Sequence, residues 1–394
     1  MKRVSAHSHP AISYFIMVLL VSSLVFGCQS DNETPRHLDS LSEAQLLPKP
    51  SETVDIDTGT SFINILSSNP QTNFPESLTF NVEIESSHEI TDIELQYQIN
   101  KVTTASVITT ITPDFTPENH VLASWTWDTR KASLPPGAEI NYQWLITNAA
   151  GDELETELTT FVFEDSRHSW NELVEGNIRL LWYKGDADFA QELMGAAQAA
   201  LETIAQDTGA ILERTARIYI YASTRDLQDA LIFPQEWTGG LAFTDYGIIT
   251  IGISPSSLSW GKKTIAHELT HLVVRQMTYS PLSDLPTWLN EGLAMYAEGD
   301  LRGDLEDSLE KAISNDTLFS IRSLGGSFPA DPDEASLAYA QSYSITVFLI
   351  NNYGSEKMSE LLGVFKRGAS YDEALLEVFG FDVDGLNIKW RDSL

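Results

Sequence analysis

His267-Glu268-Leu269-Thr270-His271, followed by Trp288-Leu289-Asn290-Glu291-Gly292-Leu293-Ala294, decides how this chain is read. The first motif sits in the apolar-periodic stretch Thr264 to Met277, which contains no proline or glycine. That pattern predicts a helix, and at 3.6 residues per turn His267 and His271 fall one turn apart on one face. Two imidazoles at this spacing can both coordinate one zinc ion. Glu268 lies about 100° round the helix, where it reaches a water on the metal rather than the metal itself. Pro281 and Pro286 bracket a loop, and a second helix begins near Thr287. Its Glu291, 20 positions after His271, puts a carboxylate on an antiparallel neighbour, where a third protein ligand is needed. Two histidines and one glutamate leave the fourth position of a tetrahedral zinc open, which a catalytic site requires and a structural site does not. One zinc per chain is therefore expected, held by His267, His271 and Glu291. A helix pair with two hydrogen-bonded core histidines is the plainer alternative.

The two motifs together resemble the gluzincin zinc metallopeptidases, and the peptidase MA-like family in particular. Aminopeptidase N-type enzymes carry a similar W-L-N-E-G-F-A segment. The resemblance extends over residues 177–394, with its strong motifs confined to 260–300. It implies a zinc hydrolase acting on peptides, with Glu268 as general base. It also implies a tyrosine that stabilises the oxyanion, which these enzymes place in a Y-x-K-G segment on a later helix. Here the corresponding run is Tyr339-Ala340-Gln341-Ser342-Tyr343, in which Tyr339 matches and Gln341 and Ser342 replace lysine and glycine. Tyr343, four residues on, is the alternative donor, and packing between helices is the alternative for both. No G-x-M-E-N-like segment precedes the zinc helix, so the carboxylate that binds a free amine in aminopeptidases has no counterpart. The position four residues after the ligand glutamate, acidic in thermolysin-like relatives, is Met295. Glu298 lies further along, and the groups that hold the histidine rings stay unassigned. Gly239 to Phe243 leads into the strand before the zinc helix; the resemblance implies an edge strand beside the metal that pairs with extended substrate, and a turn into an ordinary hairpin is the alternative.

Outward from the motifs, residues 169–394 read as α+β, a small mixed sheet and a mainly helical C-terminal part. Asn177 to Tyr183 and Ala216 to Ala222 read as strands. Asp186 to Gln206 is an alanine-rich amphipathic helix, a short helix starts at Thr224, and Gly247 to Ile253 alternates like a strand. Residues 61–168 read as an all-β, Ig-like or fibronectin-like sandwich of about seven strands. Leu78 to Ile84, Ile93 to Ile99 and Ile140 to Ile146 alternate apolar and polar residues, separated by turns such as Leu134-Pro135-Pro136-Gly137. Trp125, Trp127 and Trp144 are either core or an aromatic surface for a glycan or protein partner.

Residues 1–28 read as an export leader: Lys2 and Arg3, an uncharged apolar run from Ala11 to Gly27, then Cys28. Val25-Phe26-Gly27-Cys28 resembles a bacterial lipobox, and an uncleaved transmembrane anchor or simple secretion is the alternative. All three place the remainder outside the cytoplasm, the first two at the cell surface, with residues 29–60 as a flexible linker. Asp and Glu number 56 against 24 Lys and Arg, a net charge of −32. So acidic a surface repels phosphate backbones and anionic lipid, which excludes nucleic acid as a partner and leaves the membrane to the N-terminus alone. The single cysteine excludes an intrachain disulfide and a thiolate zinc site. The acidic stretch Asp300 to Glu310 reads as a solvated helix face. The expected function is zinc-dependent peptide hydrolysis. The alternatives are a catalytically inactive extracellular binding or adhesion protein, and a zinc hydrolase of a non-peptide amide.

Overall fold

The computed structural model describes residues 61–102, 107–131, 134–232 and 239–394. The leader, Cys28 and the linker lie outside the described residues, and no helix among those described is long and apolar enough to cross a membrane.

The first part is two antiparallel sheets packed face to face. One holds β1 (Ile63–Ser68), β2 (Gln71–Asn73), β3 (Ser77–Ser86) and β6 (His120–Asp128), with β3 central. The other holds β4 (Ile90–Ile99), β5 (Thr109–Ile111), β7 (Ala138–Asn148), β8 (Glu153–Glu155) and β9 (Thr159–Phe163), with β4 and β7 central. Successive strand residues point to opposite faces, so Leu78, Phe80, Val82 and Ile84 of β3 meet Ile140, Tyr142, Trp144 and Ile146 of β7 in one core. Trp144 is buried there, its indole N–H donating to Ser68 Oγ at 3.1 Å. Trp125 and Trp127 stack with Phe80 and Tyr97 at the same core's edge. Trp144 therefore belongs to the sandwich core, while Trp125 and Trp127 are half-buried at its edge.

The second part is built on a five-stranded mixed sheet. Its strands are β10 (Asn171–Glu175), β11 (Ile178–Trp182), β12 (Ala216–Tyr221), β13 (Gly240–Phe243) and β14 (Ile248–Gly252), in the order β10-β11-β12-β14-β13. The three inner strands run parallel, and each end strand is antiparallel to its neighbour. β10 is absent from the sequence reading. Its signal is the Gly176-Asn177 pair, which closes a two-residue hairpin with Gly176 at φ +56°. Helix α1 (Ala187–Thr208) starts on an Asp186 cap, whose carboxylate accepts from Phe189 N–H at 2.9 Å, and the short α2 (Thr224–Gln228) follows β12. The remaining helices are α3 (Leu258–Thr278), α4 (Thr287–Ala297), α5 (Gly303–Ser314), α6 (Pro332–Lys366, kinked at Gly354), α7 (Tyr371–Phe379) and α8 (Val383–Arg391).

Both faces of this sheet are covered, which is why β12 and β14 are almost wholly buried and mainly apolar, Arg217 and Thr250 being the polar members. Leu180, Ile218, Ile220, Ile249 and Ile251 point into the helical core. Tyr219, Tyr221 and Ile248 point the other way, into the sandwich core. Gly137, at φ +81°, lies against the Tyr219 ring, where a Cβ would fall 2.3 Å from the phenol oxygen. Glu139 pairs with Arg217, and Val102 N–H donates to Asp245 O at 2.7 Å in the turn between β13 and β14. The sandwich thus grips the hairpin that carries β13.

Candidate metal centre

Helix α3 is buried from Thr264 to Val274, on every side. Its threonines solve the polar problem locally: Thr264, Thr270 and Thr278 donate to carbonyls one turn back at 2.8–3.1 Å. The histidines and glutamates do not. His267 Nε2, both ring nitrogens of His271, Glu268 Oε1 and Glu291 Oε2 are buried without a hydrogen-bond partner. Orphaned polar atoms in a dry interior cost stability unless a ligand satisfies them.

These orphans converge. The packing of α4 on α3 brings Glu291 Oε2 to 3.4 Å from His267 Nε2 and 3.6 Å from His271 Nε2. All three side chains offer ligand atoms within 4.8 Å of one another. Ligand atoms about 2.0–2.1 Å from a tetrahedral zinc lie about 3.3–3.4 Å apart, so the residues present fit the ion. Nitrogen and carboxylate donors in this ratio suit zinc.

The α4 packing has a visible cause. Trp288 is buried as the helix's apolar anchor, and Gly292 allows α4 to touch α6. A Cβ on Gly292 would fall 2.2 Å from Thr346 Oγ1 and 2.4 Å from Ser342 O. The glycine after Glu291 is therefore a contact point that sets the ligand's height over α3. Small Ser342 fits the same crossing. Gln341 turns away and clamps Phe319, accepting from its N–H at 2.9 Å and donating to its carbonyl at 3.2 Å.

Sequence reasoning left the group holding the first histidine unassigned, and the structure supplies it. Glu298 Oε1 lies 2.7 Å from His267 Nδ1. A proton at Nδ1 donated to this carboxylate leaves the Nε2 lone pair facing the metal position. Glu298 caps the C-terminal end of α4, seven residues beyond Glu291, two turns along the same helix. Asn290 sits beside the His271 ring.

The electrostatics call for a cation. Burial works against a charge on His267, but the carboxylates of Glu291 and Glu298 outweigh it and push its pKa up to about 10. Burial holds His271 below the usual histidine range, favouring the neutral ring that ligates metal. Burial lifts the Glu268 carboxyl to about 7, and Glu291 and Glu298 add to the rise. Glu268 faces β13, accepting a hydrogen bond from Ala242 N–H.

Tyr339 is buried on α6, edge-on to Phe328. It lines a cavity of about 50 Å³ together with His267, Glu298, Thr264 and Trp260. Tyr343, one turn on, faces the Asp300–Leu301 segment instead. The structure therefore brings His267, His271 and Glu291 together with Glu268 beside them, puts Tyr339 in a wall shared with His267, and turns Tyr343 elsewhere.

Among solved structures, the chain is similar to OgpA from Akkermansia muciniphila at 11% identity, over 27% of this chain and 28% of that one, with a TM-score of 0.21. The chain thus spans under a third of OgpA. It is also similar to an aminopeptidase N family protein from Idiomarina loihiensis at 10% identity, over 83% and 71% of the two chains, with a TM-score of 0.32. No curated protein matches. The sequence profile of the Peptidase MA superfamily matches residues 196–394, half of the chain, and spans α3, α4 and Tyr339. With that match over the residues whose orphaned ligand atoms converge, the chain belongs to the Peptidase MA superfamily.

Proposed function

We propose that this chain is a zinc-dependent metallopeptidase that cleaves peptide bonds in an extended substrate. One observation carries the proposal: three buried ligand atoms converge at zinc spacing while Glu268, unpartnered at Oε1, stands beside them. A zinc ion held by His267, His271 and Glu291 supplies a polarised water and a positive charge next to the scissile carbonyl. Glu268 accepts the proton of the attacking water and delivers it to the departing nitrogen. Its carboxyl, lifted to about 7 by burial, suits both halves of that exchange. Glu298 holds the His267 ring and its tautomer. Tyr339 donates its hydroxyl to the carbonyl oxygen as charge develops there, a role supported by its place in the His267 wall and by the family tyrosine it matches. β13, at the end of the sheet, offers backbone groups to an extended peptide.

The leader supports a place outside the cytoplasm, tethered at the N-terminus through Cys28 or an apolar anchor. The test of the chemistry is Glu268→Gln in a chain beginning after the leader. Hydrolysis of a peptide library should fall by about a thousandfold, with bound zinc unchanged. Full activity in that variant would remove Glu268 from the mechanism.

A further inference from the structure

β13 lies directly over the general base, and its first residue has no side chain. A Cβ on Gly240 would fall 2.9 Å from Glu268 Oε1, 3.0 Å from Thr264 Cγ2 and 3.3 Å from Glu268 Cγ. Gly240 does not have the positive φ that would by itself demand glycine. What it lacks is room. The strand cannot move away to make it, because Gly240 pairs with Ile251 and Ala242 with Ile249 across the hairpin. β14 is held in turn: a Cβ on its Gly252 would fall 2.6 Å from the Thr224 backbone, and Val102 of the sandwich bonds the turn. Gly239 already abuts Trp260 of α3. The part free to yield is the end of the glutamate.

We infer that Gly240 is a positioning residue for Glu268. Its bare Cα leaves the slot that Oε1 occupies, while Ala242 N–H, two residues on, holds the carboxylate from the same strand. Any side chain at position 240 turns the carboxylate off the proton it must take. The strand is thus matched to the base as well as to the substrate backbone. An error of about 1 Å in such a group costs about a hundredfold in rate.

The inference rests on the reading of Glu268 as general base, so the test carries two readouts. Gly240→Ala, and Gly240→Ala/Thr264→Ser in which the Cγ2 contact is relieved, are made in the full chain. Both should keep the parent's zinc content and melting temperature. Both should lower kcat by about tenfold to a hundredfold and leave KM within about twofold. In a Glu268→Gln background Gly240→Ala should cost nothing further, because the displaced side chain no longer acts as the base. An equal loss in the Gln background, or a rise in KM alone, would assign Gly240 to the substrate backbone and overturn the inference. The second readout is the visible spectrum of the cobalt(II)-substituted protein, which needs no turnover. Gly240→Ala should change it in the same sense as Glu268→Gln. If the parent cleaves no peptide, the functional reading fails, and this spectrum still decides the contact: a change supports it, an unchanged spectrum overturns it.

Discussion

Asp165 and Glu291 are both carboxylates with almost no exposure, and their surroundings treat them in opposite ways. Asp165 lies where the sandwich meets the mixed sheet. Arg167 grips it from two sides, Nε at 2.8 Å and Nη2 at 2.7 Å, and the Tyr221 hydroxyl donates at 3.2 Å. Trp170 bonds the same residue's carbonyl at 2.9 Å, and neighbouring Tyr183 donates to Asp226 at 2.6 Å. Charge and hydrogen bonds close within the protein. Glu291 has two histidines at 3.4 and 3.6 Å, a second buried glutamate nearby, and among the described residues no lysine or arginine paired to it. Beyond the two imidazoles, a metal ion held at this point would offset its charge. A junction that must stay shut satisfies its own groups. A metal site leaves its groups aimed at a common point, and that imbalance marks it as functional.

The comparison breaks most visibly if Glu291 is removed. Glu291→Ala should abolish zinc binding, measured by elemental analysis, and activity with it. Chelation should lower the parent's melting temperature and leave the variant's unmoved, since only a protein that binds the metal gains stability from it. A variant that still melts higher with zinc would mean the histidines alone hold the ion. Next in size is the junction. Arg167→Met leaves Asp165 buried without its cation and should cost about 3 kcal/mol in denaturant unfolding, with zinc content unchanged. A loss of zinc instead would show that the junction and the site are not independent. The smallest effect sharpens the site itself. Glu298→Gln keeps a hydrogen-bond acceptor for His267 and removes the charge, so zinc affinity should fall about tenfold, read by competition with a chromophoric chelator. An unchanged affinity would reduce Glu298 to a surface partner.

Much of the architecture was legible because it is local. Asp186, Thr224 and Thr287 each mark a helix start that the structure keeps, since caps and prolines act over a few residues. β3, β4 and β7 announce themselves by alternation because one side of each is wet enough to stay polar. β10 escaped because it is short and half-exposed, so periodicity had nothing to act on. Trp125 and Trp127 left two readings open, since an aromatic on a strand looks the same whether it meets a partner sheet or solvent.

For the site, the sequence alone determined which atoms could bind metal. His267 and His271 share a face because the helical repeat fixes it, and Glu268 is set off from them by the same repeat. Tertiary structure decided how far apart those atoms stand. The Gly292 contact with α6 sets Glu291's distance, and the end of α4 brings Glu298 to His267. The hairpin held by the sandwich brings Gly240 onto Glu268. Periodicity propagates along one element, whereas the gap between two elements is set by the side chains that meet there, and no spacing along the chain encodes it.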